Sequence, residues 1–163
     1  MNRRIVVAGL AVLGGVGWYL FRPELLFIDT KVNETLTTSA VAQTDAPAPP
    51  ATLVAGTFHS VAHETRGTAT VLELDGRRVL RLTDFATSNG PDVRVYLVAA
   101  PDAADNETVT RAGFVELGKL KGNQGDQNYD VPATVDLGRY RAVTIWCARF
   151  GVNFATAPLT RPS

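Results

Sequence analysis

The sequence predicts an all-β fold, an antiparallel β-sandwich or barrel-like domain, preceded by one N-terminal transmembrane helix. Two observations predict the β domain. After Pro50, apolar and polar residues alternate along many short runs, which is the pattern of half-buried strands. Turn-forming Gly, Pro, Asn and Asp residues separate these runs, and strands about 8–12 residues apart are typical of sandwiches and barrels. A long uncharged segment near the amino terminus predicts the helix.

The amino-terminal segment has the properties of an uncleaved membrane anchor. Residues 5–21 carry no charge over 17 positions. As a helix they would span about 26 Å of a ~30 Å hydrocarbon core. Arg3 and Arg4 precede the segment, and such basic residues favour the cytoplasmic side. The small residues Ala40 and Ala42 lie about twenty residues too late for a signal-peptidase site, so we favour an anchor over a cleaved signal peptide.

The predicted anchor divides the chain into three parts and predicts its topology. We assign residues 1–22 to the signal anchor, residues 23–52 to a polar, Pro-rich linker, and residues 53–163 to the β domain. The protein is then expected to cross the cytoplasmic (inner) membrane once, with its N-terminus inside and its C-terminal domain on the extracytoplasmic, periplasmic side. Because Pro-rich segments stay extended, we expect the linker to act as a semi-rigid spacer that lifts the domain off the bilayer.

The strongest local signal in the β domain is a hairpin. Two alternating runs, residues 71–74 and 77–82, flank the pair Asp75-Gly76. An Asp-Gly pair favours the positive φ angles of a tight hairpin turn. Further strands are predicted at residues 92–98, 114–117, 127–131, 134–137, 140–150 and 152–157. No amphipathic helix of useful length is predicted within the domain.

Charge and motif content argue against two classes of function. The net charge of the chain is zero, and residues 43–163 contain 12 basic and 13 acidic residues. A duplex-binding surface needs a basic excess to neutralise phosphates, so we expect no nucleic acid as a partner. The sequence also contains no Gly-rich phosphate loop, zinc-ligand spacing or nucleophile elbow. We therefore identify no catalytic constellation.

Cys147 is the only cysteine, so no intramolecular disulfide holds the domain together. Two interpretations of this residue stay open. It alternates with Val143 and Ile145, which predicts a buried cysteine that packs as a small hydrophobe. A redox thiol instead has to be partly exposed, with a lowered pKa. Arg149, two residues further along the same strand face, would favour such a thiolate.

The two histidines are weaker candidates for a site. His59 and His63 are four residues apart, so in a strand their side chains point the same way. Two His and one Cys are the core ligands of a blue-copper site, and Cys147 or His63 could serve as an axial haem ligand. The simpler interpretation is that both histidines are surface or hydrogen-bonded residues. Cys147 is thus the main redox or ligand candidate, His63, His59 and Arg149 are secondary ones, and haem or a metal is a candidate cofactor.

Four stretches of the domain share a characteristic spacing of aromatic and glycine residues. They are His63-x3-Gly67-x-Ala69, Leu82-x2-Phe85-x4-Gly90-Pro91-Asp92-x2-Val95-Tyr96-Leu97, Leu117-Gly118-x-Leu120-Lys121-Gly122-x2-Gly125-x-Gln127-x-Tyr129, and Trp146-Cys147-x2-Phe150-x3-Phe154-x2-Ala157. In this order, over about residues 55–159, they resemble the electron-transfer DM13 (DM-thirteen) domain family of small, β-rich extracellular domains.

The resemblance implies a redox or electron-transfer role. Members of that family sit beside DOMON domains and cytochrome-type membrane partners, and their signature cysteine, here Cys147, is suggested to act as a free thiol or a haem ligand. The electron partner of this chain is then expected to be a second redox protein. The alternative function, from a different class, is a non-redox interaction or adhesion module on the same β-sandwich scaffold, because a fold alone does not determine function.

Overall fold

Nine strands and one short helix form in the part of the chain that the structure, a computed structural model, describes. That part comprises residues 28–36 and 49–162, together with Gly15. The strands are β1 Ala51–Thr57, β2 His59–Ser60, β3 Arg66–Leu74, β4 Arg77–Ala86, β5 Val93–Val98, β6 Phe114–Lys119, β7 Gln127–Val131, β8 Ala142–Cys147 and β9 Val152–Pro158, and helix α1 is Asn106–Ala112. Apart from Gly15, the predicted anchor lies outside the described residues, within which no helix is long and apolar enough to cross a membrane.

The strands form two antiparallel sheets. One sheet has four strands in the order β1-β3-β4-β7, and the other has five in the order β2-β9-β8-β5-β6. Each neighbouring pair of strands runs antiparallel. The prediction of an all-β, antiparallel sandwich is therefore confirmed.

The predicted hairpin joins β3 to β4. Asp75 and Gly76 in its turn have φ angles of 50° and 72°, and two consecutive positive φ angles are what a type I′ turn requires.

The prediction of a strand at residues 134–137 was wrong, because these residues form turns. Pro132, which has no N–H to donate, follows the end of β7. Asp136 then forms a turn, its carboxylate accepting a hydrogen bond from the backbone N of Gly138 at 2.8 Å.

Helix α1 is an element that the sequence patterns did not predict, because it is only two turns long. Its N-cap is Asp105, whose carboxylate accepts a hydrogen bond from the backbone N of Thr108 at 2.7 Å. Val109 of the helix belongs to the same buried cluster as Tyr96 and Trp146 of the five-stranded sheet. The helix therefore covers part of the outer face of that sheet.

The main core fills the space between the two sheets. Its fully buried side chains come from both of them, with Leu80 and Leu82 on β4 of one sheet and Val95, Leu97 and Ile145 on the other. These residues alternate along their strands with side chains that point out of the sandwich. A core of this kind holds the domain together without a disulfide.

Three connections meet at one end of the sandwich. Strand β4 runs into residues 87–92, β6 into residues 120–126, and β8 into the turn at residues 148–151. Backbone hydrogen bonds join the first of these to the other two: Thr87 N donates to Asn123 O at 2.9 Å, and Ala148 N donates to Asp92 O at 2.8 Å. We call this part of the domain the loop end. The Asp75-Gly76 turn, from which β4 starts, lies at the opposite end.

Candidate functional site

Cys147 is the last residue of β8 and lies in the core between the sheets. It pairs with Val93 of β5 on one side and with Val152 of β9 on the other. Its side chain is a free thiol with 0% exposure, in the same cluster as Val143 and Ile145. The alternation along β8 therefore predicted its burial correctly. A thiol in this position packs as a small hydrophobe, and a reagent can reach it only after local opening.

Arg149 does not share a strand face with Cys147. Strand β8 ends at Cys147, and Arg149 lies exposed in the turn that follows. One side of this turn is held by the bond from Ala148 to the 87–92 connection, and Gly151 N closes it by donating to Cys147 O at 2.9 Å. Because the chain reverses direction here, the alternation of strand faces does not extend from Cys147 to Arg149. The expectation that Arg149 would favour the Cys147 thiolate depended on that alternation.

His59 lies on the opposite face of the five-stranded sheet from Cys147. It pairs with Thr156 of β9, which in turn pairs with Thr144 of β8. Paired residues of antiparallel strands point to the same face, and Thr144 and Cys147 point to opposite faces of β8. The His59 ring Nε2 lies 2.9 Å from Asp102 Oδ1, with both side chains about two-fifths exposed (40% and 43%). This is the hydrogen-bonded surface histidine of the simpler interpretation.

His63 packs on an aromatic ring. The centroids of the His63 and Phe154 rings are 3.8 Å apart, and His63 N donates to Phe154 O at 3.2 Å. Because β2 ends at Ser60, the two histidines are not on one strand. Among the described residues, no three His, Cys, Asp or Glu side chains are placed so that they could hold a metal ion. The structure thus does not bring His59, His63 and Cys147 together as a copper site.

A haem does not fit beside Cys147 as the domain is packed. Axial ligation needs an apolar pocket next to the ligand atom, whereas this sulfur is enclosed on all sides by core residues. Neither Cys147 nor His63 is among the residues that line the best-formed clefts on the described part of the chain, which have volumes of 220 to 510 Å³. We therefore derive no chemistry from a haem at this position.

A docked segment, residues 28–36, is a further feature that the sequence patterns did not predict, and we call it the strap. It lies along the connection between β6 and β7. Val32 N donates to Gln124 O, and Glu34 N donates to Asp126 O, both at 2.9 Å, while Gln124 N donates to Thr30 O at 3.2 Å. Their polar composition placed these residues in the predicted linker, residues 23–52. In the structure the domain holds residues 28–36, which precede the Pro-rich stretch.

Side chains at the loop end hold the start of the strap. Asn123 is 4% exposed and makes two contacts with it: its Nδ2 donates to Asp29 Oδ1, and its Oδ1 accepts from Thr30 N, both at 2.7 Å. Asn89 Nδ2 donates to Ile28 O, also at 2.7 Å. Two of the motif-bearing stretches, around residues 85–92 and 117–129, therefore converge on the same short piece of chain.

Two glycines allow the strap to approach this closely. A Cβ atom on Gly122 would clash with the carbonyl oxygen of Thr30, and one on Gly125 would clash with that of Val32. Gly125 also has a φ of 95°, which side-chain-bearing residues rarely adopt. Gly122 and Gly125 of the third motif stretch thus have a physical reason, which is the close backbone contact with the strap.

A buried polar network shapes the loop that receives the strap. Gln127 has 0% exposure. Its Oε1 accepts hydrogen bonds from the backbone N of Lys121 and Gly122 at 3.1 and 3.2 Å and from Tyr129 OH at 2.8 Å, and its Nε2 donates to Gly122 O at 2.7 Å. Burial raises the pKa of Tyr129 to about 12, so its hydroxyl stays a donor at neutral pH.

An ion pair holds the middle of the strap. Lys121 Nζ lies 2.8 and 2.9 Å from the two carboxylate oxygens of Glu34, and Asn128 N donates to the same carboxylate at 2.7 Å. Partial burial raises the pKa of Glu34, but the hydrogen bonds from Lys121 and Asn128 outweigh it, and the pKa lies below its ordinary value. These contacts hold a segment of the protein's own chain against the domain.

Comparison with known proteins identifies a family. A family model described as "Electron transfer DM13" matches residues 57–159. No curated protein and no solved structure matches the chain. The matched region runs from the end of β1 to just past β9 and includes Cys147 together with both loops that receive the strap.

Proposed function

Because the chain belongs to the electron-transfer DM13 family, we propose that it is a membrane-anchored redox protein whose β-sandwich works outside the cytoplasm. The family match over residues 57–159 is the observation that supports the redox role. The anchor and its orientation are supported by the uncharged residues 5–21 and by Arg3 and Arg4 before them. The proposed partner is a second redox protein at the same membrane, which donates electrons to the domain or accepts them from it.

Cys147 is the proposed redox group within this role. It is the only thiol of the chain, and thiol chemistry requires that a partner reaches the sulfur. The proposed way to the sulfur is through the turn at residues 148–151, which directly follows Cys147 and in which Arg149 and Phe150 are exposed. The proposal therefore includes an opening of this turn, which breaks the hydrogen bonds of Ala148 N and Gly151 N.

A second candidate function is favoured by one observation, the complete burial of the Cys147 side chain. A core cysteine needs no redox role, and the domain would then act as a non-redox interaction or adhesion module. The two functions differ in one measurable property of the folded protein, which is whether the thiol can be modified without global unfolding.

The deciding experiment is thiol modification of the purified full-length chain in detergent, with an absorption spectrum of the same sample. If Cys147 is the redox group, it should react faster than the domain unfolds globally, because only the turn has to open. If it is a core residue, modification should be no faster than global unfolding. Cys147→Ala provides the control without a thiol.

A stability measurement on Cys147→Ser accompanies this test. Burying a hydroxyl without a hydrogen-bond partner should cost about 1–3 kcal/mol of unfolding free energy, whichever function is correct. A thiol that resists modification in a protein without visible absorption would contradict electron transfer through this residue, and the interaction module would then be the better description.

A further inference from the structure

Ile28 and Phe150 are exposed apolar side chains at the same end of the sandwich. Their exposed fractions are 54% and 60%. Both lie next to the connection of residues 87–92: Asn89 binds the carbonyl oxygen of Ile28, and Asp92 binds the turn that carries Phe150. Two apolar side chains that folding leaves in contact with water are therefore presented together at the loop end.

One other large hydrophobic side chain is exposed in the described part of the chain, and it is placed differently. Phe114 is 44% exposed and lies at the start of β6, at the opposite end. Its ring stacks on that of Tyr96, with the centroids 4.2 Å apart and the planes parallel within 1°. Phe114 thus already has a partner within the domain, which leaves the loop end as the apolar surface to be explained.

The strap sets how far the loop end can be from the anchor. Ile28, Asp29 and Thr30 are each hydrogen-bonded to the loop end. Only residues 22–27 separate Ile28 from the end of the uncharged segment, residues 5–21. Even fully extended, this stretch spans at most about 25 Å. With the proposed anchor in the bilayer, the loop end, which holds Ile28, therefore stays within about this distance of the membrane.

We propose that the loop end rests on the surface of the lipid bilayer, with Ile28 and Phe150 among the headgroups. The proposal rests on the membrane anchor of the proposed function and adds the orientation of the domain. Apolar side chains that enter the interfacial region gain from the removal of water. Lys119, which is exposed and lines the same cleft as Ile28, can keep its ammonium group in the headgroup layer while its stem covers apolar surface. The orientation also turns the Cys147 end of β8 towards the membrane.

The test uses the full-length chain in phospholipid vesicles whose acyl chains carry bromine, which quenches nearby tryptophans. Phe150→Trp reports on the loop end. Ala133→Trp, at an exposed position in the turn after β7 at the opposite end, is the matched control. The fluorescence of the unmodified chain, which contains Trp18 and Trp146, is subtracted from that of each variant. We expect the bromolipid to quench the added tryptophan several-fold more strongly at position 150 than at position 133.

Co-sedimentation of the same samples with the vesicles shows whether the proposed anchor or only the proposed orientation is wrong. A chain that does not stay with the vesicles overturns both the anchor and the orientation. A chain that stays with them while positions 150 and 133 are quenched equally keeps the anchor and overturns the orientation, and the apolar surface is then free for a protein partner. Ile28→Trp is the second probe of the loop end, for the case that Phe150→Trp does not fold.

Discussion

At the scale of single residues, the loop that receives the strap depends on side chains that are polar and yet buried. Gln127 has no exposed surface, and both ends of its amide are hydrogen-bonded. A buried amide costs free energy unless its hydrogen bonds are made, so the position of Gln127 determines where the backbone of Lys121 and Gly122 must lie. Gln127 therefore has a structural role, because it fixes the loop that holds the strap.

Glu34 allows a prediction about pH. Its folded-state pKa lies below the ordinary value of 4.5, so the folded state favours the ionised carboxylate. The corresponding stabilisation should be complete above pH 4.5 and should be lost as the pH falls through the lower, folded-state pKa. The Glu34 side chain is 33% exposed. Solvent screening should therefore limit the effect of Glu34→Gln to about 1 kcal/mol or less at neutral pH.

The measurement is denaturant unfolding of the parent chain and of Glu34→Gln at neutral and at acidic pH. The difference between the two chains should shrink as the pH falls below 4.5. Glu107→Gln is the control, because Glu107 is 64% exposed and pairs with Arg111 on the surface of α1. An equal loss at all pH values, or the same pH dependence in the control, would contradict the role of the Glu34 carboxylate.

At the scale of elements, the strap belongs to the folded domain, although its polar composition is typical of a linker. Its backbone makes hydrogen bonds with the connection between β6 and β7 in much the same way as an added edge strand does. An unpaired sheet edge is prone to pairing with other chains. The strap covers polar backbone groups beside β7 and at the same time attaches the domain to whatever precedes residue 28.

Gly122→Ala tests the strap as an element. The added Cβ would clash with the carbonyl oxygen of Thr30, so the strap should detach or shift. We expect a loss of about 1–3 kcal/mol of unfolding free energy, as for other overpacked sites. The amides of Val32 and Glu34, which donate hydrogen bonds to the loop, should exchange their hydrogens faster.

Gly138→Ala is the matched control for that substitution. A Cβ at Gly138 would meet mainly the side chain of Asp136, which can move aside. This variant should therefore leave the exchange of the strap amides unchanged. Strap amides that exchange equally fast in the parent chain and in Gly122→Ala would show that the strap is not held in solution.

At the scale of the whole molecule, the proposed membrane anchor predicts where the protein is found in the cell. The full-length chain should sediment with membranes, and carbonate washing should not release it, because the uncharged residues 5–21 are proposed to be an uncleaved membrane anchor. Protease added from the extracytoplasmic side should digest the domain. Recovery of a soluble, shortened chain would indicate cleavage and would remove the basis for the proposed orientation.

Those features that depend on neighbouring residues were predictable from the sequence alone. The Asp75-Gly76 turn needs only local positive φ angles, which the residue types favour. The strand face on which Cys147 lies follows from its alternation with Val143 and Ile145, because side chains of a strand alternate between two faces. The antiparallel sandwich follows from many such short runs, and the family could be identified from the spacing of its motifs.

Only the tertiary structure decided what depends on contacts between distant residues. Thr30 binds Asn123 across 93 positions of the chain, and no periodic pattern marks such a contact in advance. The end of β8 at Cys147, which puts Arg149 in a turn, depends on a backbone bond from Ala148 to Asp92. Composition assigned residues 28–36 to a linker because they are polar. They nevertheless bind the domain. The glycines of a distant loop allow the strap to approach closely, and the backbone and buried amide side chain of that loop form hydrogen bonds with it.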